Sequence, residues 1–299
     1  MTQSNFTIGD HVYHAPVLEP GLYVVPTPIG NLRDITLRAL DVLSSADVIA
    51  CEDTRTTAIL LRRYGIDRPR VSYNEHNADT RGPDLLRQIS EGAAVALVSD
   101  AGTPLVSDPG ARLVARVVSE GHRVIPLPGA SAPVTALMAS GFVGSGDGLS
   151  DDFRFCGFLP SKQKARRERL EALAQSDATT LYFESPSRLL AALEDMGHVF
   201  GPDRAIVVAR ELTKMHETFH RGNAESLKVE FAAMDRVRGE IVIAVSAASA
   251  KALTDKDVDA MLKQALQSAK TKQAAKQVAQ ATGRSAKALY ERALALKTP

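Results

Sequence analysis

The sequence predicts an α/β fold, with two α/β domains followed by a small helical domain. From Gly21 onward, short runs of Val, Ile and Leu alternate with amphipathic segments of helical period. Such alternation is typical of a largely parallel sheet that helices cover on both faces. A Gly-rich, acidic segment at 141–152 interrupts it, and from Lys251 the composition turns rich in Ala, Lys and Gln. The length of 299 residues suits about two domains and a small third.

These features divide the chain into four parts. Residues 1–20 form an N-terminal extension, 21–145 the first α/β domain, 153–250 a second, smaller α/β domain, and 251–299 a basic helical domain. The segment between the two α/β domains has no apolar periodicity, so we expect a linker or a mobile loop there.

The elements follow from apolar runs that polar, Pro or Gly residues close. In the first domain we predict strands in GLYVVPT, ADVIACE, RVSY, AVALVSD and HRVIPLPG, and helices over 37–45, 54–64, 85–91 and 111–120. In the second domain we predict strands in FRFCGFLP, TTLYFE, RAIVVAREL and GEIVIAVS, and helices over 162–175, 187–196 and near 224–234. The remainder of the chain, from 251, is expected to be wholly helical.

The C-terminal domain carries the positive charge of the chain. It holds ten Lys and Arg against four Asp and Glu, a formal charge of +6, which leaves −5 on the rest of a chain of net charge +1. Ala279, Gly283 and Leu289 have the spacing of a helix-turn-helix, with a small residue, a turn glycine and an apolar residue. The segment is interpreted either as a nucleic-acid contact or as a solvated pair of packed helices.

Composition excludes several classes of protein. With 44% hydrophobic and 24% charged residues, the chain has the composition of an ordinary globular protein. Apolar runs such as 93–98 and 241–245 are far shorter than the ~20 residues of a membrane-spanning helix. The N-terminus lacks the pattern of a secretory signal, and Cys51 and Cys156 are too few for a disulfide framework. We therefore expect a cytoplasmic protein with no membrane contact.

Four common site motifs fail. Gly144, Gly146 and Gly148 lie in an acidic loop rather than between a strand and a helix, so dinucleotide binding is not expected. A P-loop motif does not occur. GASAP surrounds Ser131 as in a nucleophile elbow, but Pro133 replaces the last glycine. The seven His are scattered, with no ligand pair at metal-binding spacing, so we expect no metal.

Four loops that follow predicted strands are dense in Pro, Gly, Ser, Thr and Asp. They are PTPIGN at 26–31, CEDTRTT at 51–57, SDAGTPLVSDPG at 99–110 and PLPGASAP at 126–133. One such loop is an ordinary turn. Because the carboxyl ends of parallel strands share one edge of a sheet, four of them predict a ligand site on that edge.

The third loop indicates which ligand the site takes. Its glycines (Gly102 and Gly110) permit close approach, its hydroxyls are Thr103 and Ser107, and its carboxylates are Asp100 and Asp108, with no Lys or Arg nearby. These groups suit a ligand with hydroxyls and a positive centre better than a polyphosphate. PGAS at 128–131 opens a helix and adds N–H donors. S-adenosylmethionine, a zwitterion with a ribose and a cationic sulfur, has this chemistry.

The longer motifs resemble one known family. They are LYVVPTPIGNLRDITLRAL, ACEDTRTTAILLRRYG, NEHN, ALVSDAGTPLVSDPG, PLPGASAPVTAL, LYFESPSR and ARELTKMHE. Together they resemble, motif for motif, the small-subunit ribosomal RNA methyltransferase I group of the tetrapyrrole methylase superfamily. The resemblance covers roughly residues 20–245, and the basic tail looks like the C-terminal domain of many members.

The resemblance implies a fold and an activity. The implied fold has two α/β domains with the cofactor in the cleft between them, usually in a homodimer. The implied reaction moves a methyl group from S-adenosylmethionine to the ribose 2′-hydroxyl of a cytidine in the decoding region of small-subunit (16S) ribosomal RNA. By the same resemblance the cofactor contacts Pro28, Gly30, Asp100, Gly102, Thr103, Pro104, Ser107, Asp108, Ala130, Ser131, Phe183 and Glu184. From the residues themselves, Phe183 and Glu184 are equally a strand end with a capping carboxylate.

Catalysis by such an enzyme requires alignment and a proton acceptor. Transfer from a sulfonium is an in-line displacement, so the hydroxyl and the methyl carbon must be held in line. A ribose hydroxyl also needs a group that orients it and takes its proton. Asp100 is our first candidate and Glu184 the second, while Glu52, Asp53, His76 and Lys214 stay open. An Asp at a strand end is also a common turn or helix cap.

Basic and aromatic residues are candidates for RNA contact. Arg guanidinium groups match phosphates bidentately, and the candidates are Arg55, Arg188, Arg210 and Lys214. Arg62 and Arg63 are equally a solvated helix face, and RELTKMHE is equally an internal network of ion pairs. Tyr23, Tyr73 and Phe183 are candidates for stacking on an unstacked cytosine, although such aromatics usually lie in the core.

Two other functions compete with this interpretation. One is a tetrapyrrole C-methyltransferase of the precorrin type, which has no evident need for CEDTR or a +6 helical tail. The other is a ligand-sensing, nucleic-acid-binding regulator without catalysis. Such a regulator needs the cofactor pocket but no acceptor site.

Overall fold

The structure is a computed structural model, and it describes residues 4–146, 148–248, 255–282 and 284–296. The chain begins with an antiparallel hairpin of β1 (Asn5–Ile8) and β2 (His11–His14). Phe6 is buried and stacks on Tyr13, with 5.3 Å between ring centroids. The sequence predicted an N-terminal extension here, without either strand.

The first α/β domain is a five-stranded, wholly parallel sheet, as predicted. Its strands are β3 (Gly21–Val24), β4 (Val48–Cys51), β5 (Arg70–Ser72), β6 (Ala94–Val98) and β7 (Val124–Pro126). Its helices are α1 (Leu37–Ser45), α2 (Thr54–Arg63), α3 (Ala78–Ser90) and α4 (Ala111–Ser119), and a 3₁₀ turn at Leu32–Asp34 precedes α1. The strand order is β5-β4-β6-β3-β7.

Helix α3 begins earlier than predicted. Gly82 and Pro83 weaken helix propensity, and for that reason the pattern placed the start at 85. The structure starts the helix after Asn77, whose side chain accepts a hydrogen bond from the Asn74 amide at 2.8 Å and donates one to the Ser72 carbonyl at 3.1 Å. These local bonds fix the turn before α3.

The strand order places a topological switch between β6 and β3. The chain leaves β3 toward β4 on one side and leaves β6 toward β7 on the other. Accordingly, α1 and α2 pack on one face of the sheet through Leu40 and Leu61, and α3 and α4 on the other through Leu85 and Leu113. A crevice opens at the carboxyl ends of two strands arranged in this way, and ligands of α/β proteins bind there.

The second α/β domain is a mixed sheet. After α5 (Ala132–Ser140) come β8 (Phe153–Phe158), α6 (Gln163–Glu171), β9 (Thr179–Glu184), α7 (Leu189–Phe200), β10 (Ile206–Arg210), β11 (Thr218–Gly222), α8 (Ala224–Ala232) and β12 (Ile241–Val245). The order is β11-β10-β12-β9-β8, with β8 and β9 parallel and the other pairs antiparallel. Strand β11, one of the two edge strands, was not predicted because TFHRG has no apolar run.

Helix α5 joins the two sheets into one compact unit. Helices α6, α7 and α8 cover one face of the second sheet. On the other face, Leu137 of α5 packs in one apolar cluster with Leu181 of β9 and Val242 of β12. The predicted boundary at 145 assigns α5 to the first domain. In the structure, α5 packs against the sheet of the second domain.

The C-terminal helices form a unit of their own. They are α9 (Asp255–Ser268), α10 (Thr271–Thr282) and α11 (Ala286–Ala295), around a core that includes Val258, Leu262, Val278 and Leu289. Ala279 packs against this core, whereas Gly283, the predicted turn glycine, lies outside the described residues. In the parts of the chain that the structure describes, no helix has the length and apolarity needed to cross a membrane.

Candidate active site

The four predicted loops meet at the crevice and line a cavity of about 430 Å³. Ile29 comes from the first loop, Glu52 from the second, Asp100, Ala101, Gly102, Thr103, Val106, Ser107 and Asp108 from the third, and Ser131 to Pro133 from the fourth. The second domain closes the cavity with Phe158, Phe183 to Pro186, Leu212 and Gly239 to Val242. The cavity thus lies at the carboxyl ends of β3 and β6, in the cleft between the sheets.

Backbone contacts join the first, third and fourth loops. Thr27 and Gly102 exchange two backbone hydrogen bonds of 2.9 Å. Gly102 has φ +81°, and a Cβ there would lie 3.1 Å from the Ile29 side chain. Thr103 Oγ1 donates to the Ala130 carbonyl at 2.8 Å. Glycine is needed at position 102 because a side chain would strain this junction.

Two loops at the cavity hold non-glycine residues in the left-handed region. These are Leu105 (φ 76°) and Ser107 (φ 67°) in the third loop, and Glu211 (φ 54°) and Thr213 (φ 64°) in the loop after β10. Each such residue costs on the order of 1–3 kcal/mol, and the surrounding contacts must offset that cost. Strain of this kind clusters at functional sites, which supports a binding role for both loops.

Carboxylates dominate the charge of the cavity. Glu52, Asp100, Asp108, Glu184 and Glu240 line it, and no lining residue in the described parts of the chain is Lys, Arg or His. Burial raises the pKa of Asp100 and of Asp108. Burial also raises the pKa of Glu52, and the negative charges of Asp100 and Asp108 raise it further. Such a cavity favours a cation.

The two catalytic candidates differ in their surroundings. Asp100 is exposed, and its Oδ1 accepts a hydrogen bond of 3.0 Å from the Asp53 amide, which orients the carboxylate. Glu184 is buried, and its Oε1 accepts from the Ser185 amide at 2.8 Å and lies 3.1 Å from Arg188 Nε. The pKa of Glu184 is raised overall, because burial outweighs the opposing effect of the Arg188 charge. Of the two carboxylates, that of Asp100 is more exposed and forms no ion pair with a described residue.

The other proton-acceptor candidates fall into three groups. Glu52 lines the cavity. Asp53 caps α2, and its hydrogen bonds with Arg55 lower its pKa to about 2. His76 is an exposed loop residue and is not part of the cavity lining. Burial acts to lower the pKa of Lys214, but its hydrogen bonds with Glu211 and Glu240 raise it overall, so its amine stays protonated.

Four predicted cofactor contacts do not line the cavity: Pro28, Gly30, Pro104 and Ala130. Gly30 serves a different junction, because a Cβ there would overlap the Lys214 side chain. Beside it, the Asn31 amide donates to Thr213 Oγ1 at 3.1 Å, so the first loop packs on the loop after β10. The remaining predicted contacts (Asp100, Gly102, Thr103, Ser107, Asp108, Ser131, Phe183 and Glu184) line the cavity.

Among the lining residues of the second domain, only Phe183 and Glu184 were predicted from the sequence. Leu212 and Glu240 reach the cavity from the loops at the ends of β10 and β12. They are held together because the Glu211 carboxylate accepts from the Glu240 amide at 2.9 Å. Gly239 is required there because a Cβ would overlap the Glu211 carboxylate. In the sequence, the one signal of this contact is Gly239 itself, because a glycine directly before a strand can mark a close approach of another segment.

The four candidates for RNA contact are placed differently. The side chain of Arg55 is 90% exposed, and its Nη2 lies 2.7 Å from Asp53 Oδ2. Arg188 is bound internally by Glu184 and the Leu159 carbonyl. Arg210 donates to Thr218 Oγ1 at 3.2 Å and to the Arg238 carbonyl at 3.1 Å. Lys214 pairs with Glu211 at 2.8 Å and with Glu240 at 3.1 Å, as the ion-pair alternative for RELTKMHE predicted in part.

The fold and the cavity define a tetrapyrrole methylase. The family model Tetrapyrrole (Corrin/Porphyrin) Methylases matches residues 21–228, and the model of the RsmI C-terminal HTH domain matches 252–297. A solved structure with the same fold is that of cobalt precorrin-4 methyltransferase, a cobalamin biosynthetic enzyme. It has a TM-score of 0.58 and 17% identity, covering 75% of this chain and 93% of that one.

Relatives of higher identity narrow the class. Ribosomal RNA small subunit methyltransferase I of Mesorhizobium japonicum is 48% identical over 290 residues, covering 97% of each chain. The protein of the same name from Escherichia coli O157:H7 is 45% identical over 276 residues, covering 91% of this chain and 94% of that one. The chain therefore belongs to the ribosomal RNA small subunit methyltransferase I family, within the tetrapyrrole methylases.

The methyl donor of this family is S-adenosylmethionine, and the cavity fits it. The carboxylates of Glu52, Asp100 and Asp108 complement its sulfonium charge. The Thr103 and Ser107 hydroxyls lie on the same wall and match a ribose and a polar amino-acid end. A volume of about 430 Å³ falls within the range of pockets that enclose small cofactors.

Proposed function

We propose that this protein transfers a methyl group from S-adenosylmethionine to the ribose 2′-hydroxyl of a cytidine in the decoding region of small-subunit ribosomal RNA. The observation that carries the proposal is the carboxylate-lined cavity at the crevice between β3 and β6. It occurs in a chain that is 48% identical, over 97% of its length, to a ribosomal RNA small subunit methyltransferase I.

The residues of the cavity perform binding and alignment. When bound, S-adenosylmethionine supplies an electrophilic methyl carbon on a positively charged sulfur. Glu52, Asp100 and Asp108 hold that charge, and the apolar walls from Phe183 and Leu212 exclude water. Most of the rate enhancement then comes from holding the hydroxyl in line with the methyl carbon, because effective molarities of aligned groups are large.

Asp100 is assigned to orient the ribose hydroxyl and to take its proton. Its carboxylate lines the cavity, has no partner among the ion pairs of the described residues, and is oriented by the Asp53 amide. Glu184 remains the second candidate. Its contacts with Arg188 and Ser185 suit a residue that keeps the cavity wall in place, so we expect a positioning effect from it rather than direct proton transfer.

The RNA is expected to contact the rim beside the second loop. Arg55 projects there. The Asp53 carboxylate holds the Arg55 guanidinium in one orientation at the surface, which suits a phosphate. Arg188, Arg210 and Lys214 remain candidates that would have to exchange internal partners for phosphate oxygens. The basic C-terminal helices provide a second, sequence-independent contact.

Family resemblance also supports a homodimer that acts in the cytoplasm, where ribosomal subunits are substrates. Light scattering of the purified protein over a range of concentrations tests the oligomeric state. A mass of one chain at all concentrations would contradict the dimer, and fractionation of cells would test the compartment.

The decisive experiment supplies methyl-labelled S-adenosylmethionine and small ribosomal subunits from a strain that lacks this gene. We expect one labelled ribose, located at a cytidine by mapping the modified nucleotide. Asp100→Ala should abolish transfer while the variant stays folded, and the exposed Asp67→Ala serves as its control. Label on a base, or no label with the wild-type protein, would overturn the proposed function. Full activity of Asp100→Ala would remove only Asp100 from the mechanism.

A further inference from the structure

A second cavity, of about 300 Å³, adjoins the first. Tyr73, Glu75, Ala78 and the stretch from Asp108 to Arg112 line it. Asp108 also lines the donor cavity, so the two spaces share this carboxylate. The function proposed above places the ribose hydroxyl at Asp100 in the first cavity and leaves the base of the target nucleotide without a binding place.

We propose that the second cavity receives the pyrimidine base of the target nucleotide, with Asp108 beside the ribose at the junction with the donor cavity. This inference rests on the proposed function, because it places the acceptor of the same reaction. It also divides the site into two parts, one for the methyl donor and one for the base.

The size and position of the cavity suit one unstacked base. Its volume is at the lower end of the range of about 300–1,000 Å³ found for ligand pockets. Proteins that read RNA sequence bind splayed bases on aromatic side chains and hydrogen-bond their edges. Of the three aromatics that the sequence offers for stacking, Phe183 lines the donor cavity, while Tyr23 and Tyr73 are both packed in the core of the first domain, Tyr73 at the floor of this cavity.

The cavity has a rigid aromatic wall. Tyr73 is 2% exposed, so its ring is fixed by packing against the core that includes Leu85 and Leu113. Burial raises the pKa of Tyr73, which keeps its phenol neutral. Tyr73 therefore gives the cavity a fixed floor that needs no ordering when a base binds, and the base is held by polar contacts at its edge rather than by stacking on this ring.

The polar groups of the cavity discriminate between the two pyrimidines. Glu75 supplies a hydrogen-bond acceptor, and Arg112 supplies donors that Asp79 orients through an ion pair of 2.8 Å. Cytosine has an amino donor at N4 and acceptors at N3 and O2, so a carboxylate and a guanidinium can satisfy its edge. Uracil has an oxygen at position 4, which a carboxylate repels. Glu75 is therefore assigned to favour cytosine.

The junction is fixed by the backbone. Gly110 has φ +127°, and a Cβ there would lie 2.8 Å from the side chains of Leu97 and Leu105. With Leu105 and Ser107 also in the left-handed region, the loop leaves Asp108 little freedom. Asp108 is thus held at the junction, beside the ribose of a nucleotide whose base occupies the second cavity, while Asp100 orients the hydroxyl of that ribose in the donor cavity.

The test compares Glu75→Gln and Arg112→Ala with two matched control variants, Glu91→Gln and Arg87→Ala. Arg87 and Arg112 expose 61% and 63% of their side chains and each forms a surface ion pair, with Glu91 and Asp79 respectively. Methyl transfer to small subunits gives kcat and KM, calorimetry gives the Kd of S-adenosylmethionine, and thermal unfolding checks the fold.

We expect kcat/KM for the subunit to fall by at least about tenfold in each cavity variant. The Kd of the donor should stay within about twofold, because neither residue lines the donor cavity. The control variants should match the wild-type protein. An equal loss in Arg87→Ala would mean that surface charge, rather than the cavity, causes the effect, and would overturn the proposal.

A substrate substitution provides the second arm. Small subunits reconstituted with uridine at the mapped position should be methylated poorly by the wild-type protein, and Glu75→Gln should narrow the difference between cytidine and uridine. Wild-type rates and an unchanged cytidine preference in both cavity variants would overturn the inference and leave the proposed function standing. A wild-type protein that methylates no small-subunit RNA would overturn the proposed function itself.

Discussion

At the scale of residues, the acids of the cavity differ from acids elsewhere in the protein. Asp53 pairs with Arg55, Glu211 with Lys214, and Asp195 with Arg166. No ion pair of the described residues includes Asp100 or Asp108, and burial raises the pKa of each. Uncompensated carboxylates cost free energy in the unbound protein, and a bound cation reverses that cost.

This arrangement predicts a pH dependence of donor binding. Because the pKa values of Glu52, Asp100 and Asp108 are raised, these groups take up protons at a higher pH than ordinary carboxyls, and the cavity loses its negative charge earlier than ordinary carboxyls would as the pH falls. The affinity for S-adenosylmethionine should then fall by about tenfold. S-adenosylhomocysteine has an uncharged sulfur, so its affinity for the cavity should depend much less on pH.

Calorimetry of both compounds between pH 7.5 and 5 measures the two profiles. S-adenosylhomocysteine is the matched control, because it differs from the donor only by the methyl group and the sulfur charge. Parallel pH profiles for the two ligands would contradict an electrostatic role of these carboxylates.

At the scale of elements, one buried ion pair joins two helices of the second domain. Asp195 of α7 has a fully buried side chain, and Arg166 and Arg167 of α6 each contact it at 2.6 Å. Gln163 adds a hydrogen bond of 3.3 Å. Burial acts to raise the pKa of Asp195, but the hydrogen bonds of Arg167 and Arg166 lower it overall. The pair fixes α6 against α7, because Asp195 is the carboxylate that balances the charge of the buried Arg166, whose other hydrogen bonds go to the backbone carbonyls of Pro160 and Ser161.

Asp195→Ala should lower the free energy of unfolding by about 3–5 kcal/mol, because it leaves Arg166 buried without its partner. Glu194→Ala is the matched control. Glu194 is the residue before Asp195, and its carboxylate forms an exposed ion pair with Lys228 at 3.4 Å. Its loss should cost less than about 1 kcal/mol. Urea unfolding followed by circular dichroism measures both, and equal effects would contradict the assignment.

The sign of the pH effect is also fixed. The pKa of Asp195 is lowered in the folded protein, so its contribution to stability is present above the ordinary Asp value and is lost as the pH falls through the lowered one. The difference between the wild-type protein and Asp195→Ala should therefore be constant near neutrality and shrink in strong acid.

At the scale of the whole molecule, the net positive charge lies on a separate compact unit. Arg292 pairs with Asp259 at 2.5 Å and Arg284 with Asp255 at 2.7 Å, so these two ion pairs connect α9 with α11 and with the turn before it. The formal charge of +6 on residues 251–299 is distributed over helices with their own apolar core. A unit of this kind can add RNA affinity without changing the donor cavity.

A variant that lacks residues 251–299 should bind small subunits more weakly and with a flatter salt dependence. The slope of log K against log salt should decrease by about 0.7–0.9 for each phosphate contact that is lost. The Kd of S-adenosylmethionine controls for the fold of the remaining chain and should not change. Identical subunit affinity at every salt concentration would show that the tail has no part in recognition.

Much of the architecture could be predicted because it depends on local pattern. The strands of the first domain are apolar runs ended by Pro, Gly or polar residues, and parallel pairing alone brings their four loops to one edge. Strand β11 and the hairpin that buries Phe6 escaped prediction, since they lack an apolar run and depend on neighbours already in place.

The site was predicted in part for the same reason. The third loop carries its glycines, hydroxyls and carboxylates within one short segment, so Asp100 and Asp108 could be assigned to the cavity from sequence. Leu212 and Glu240 could not, because their place in the lining depends on contacts between distant loops. The contact between Arg188 and Glu184 could not be predicted as a fact either, and an RNA contact of Arg188 stays a prediction that would require exchange of this partner.

The sequence by itself determined the two α/β domains, the basic helical tail, the edge of the sheet where the first cavity opens, and the family. Those properties depend on periodicity, charge and motifs within short stretches of chain. Only the tertiary structure decided that α5 packs on the second sheet, that Gly30 accommodates Lys214, and that Asp108 joins two cavities. These are contacts between residues far apart in the chain, and close packing rather than local preference selects them.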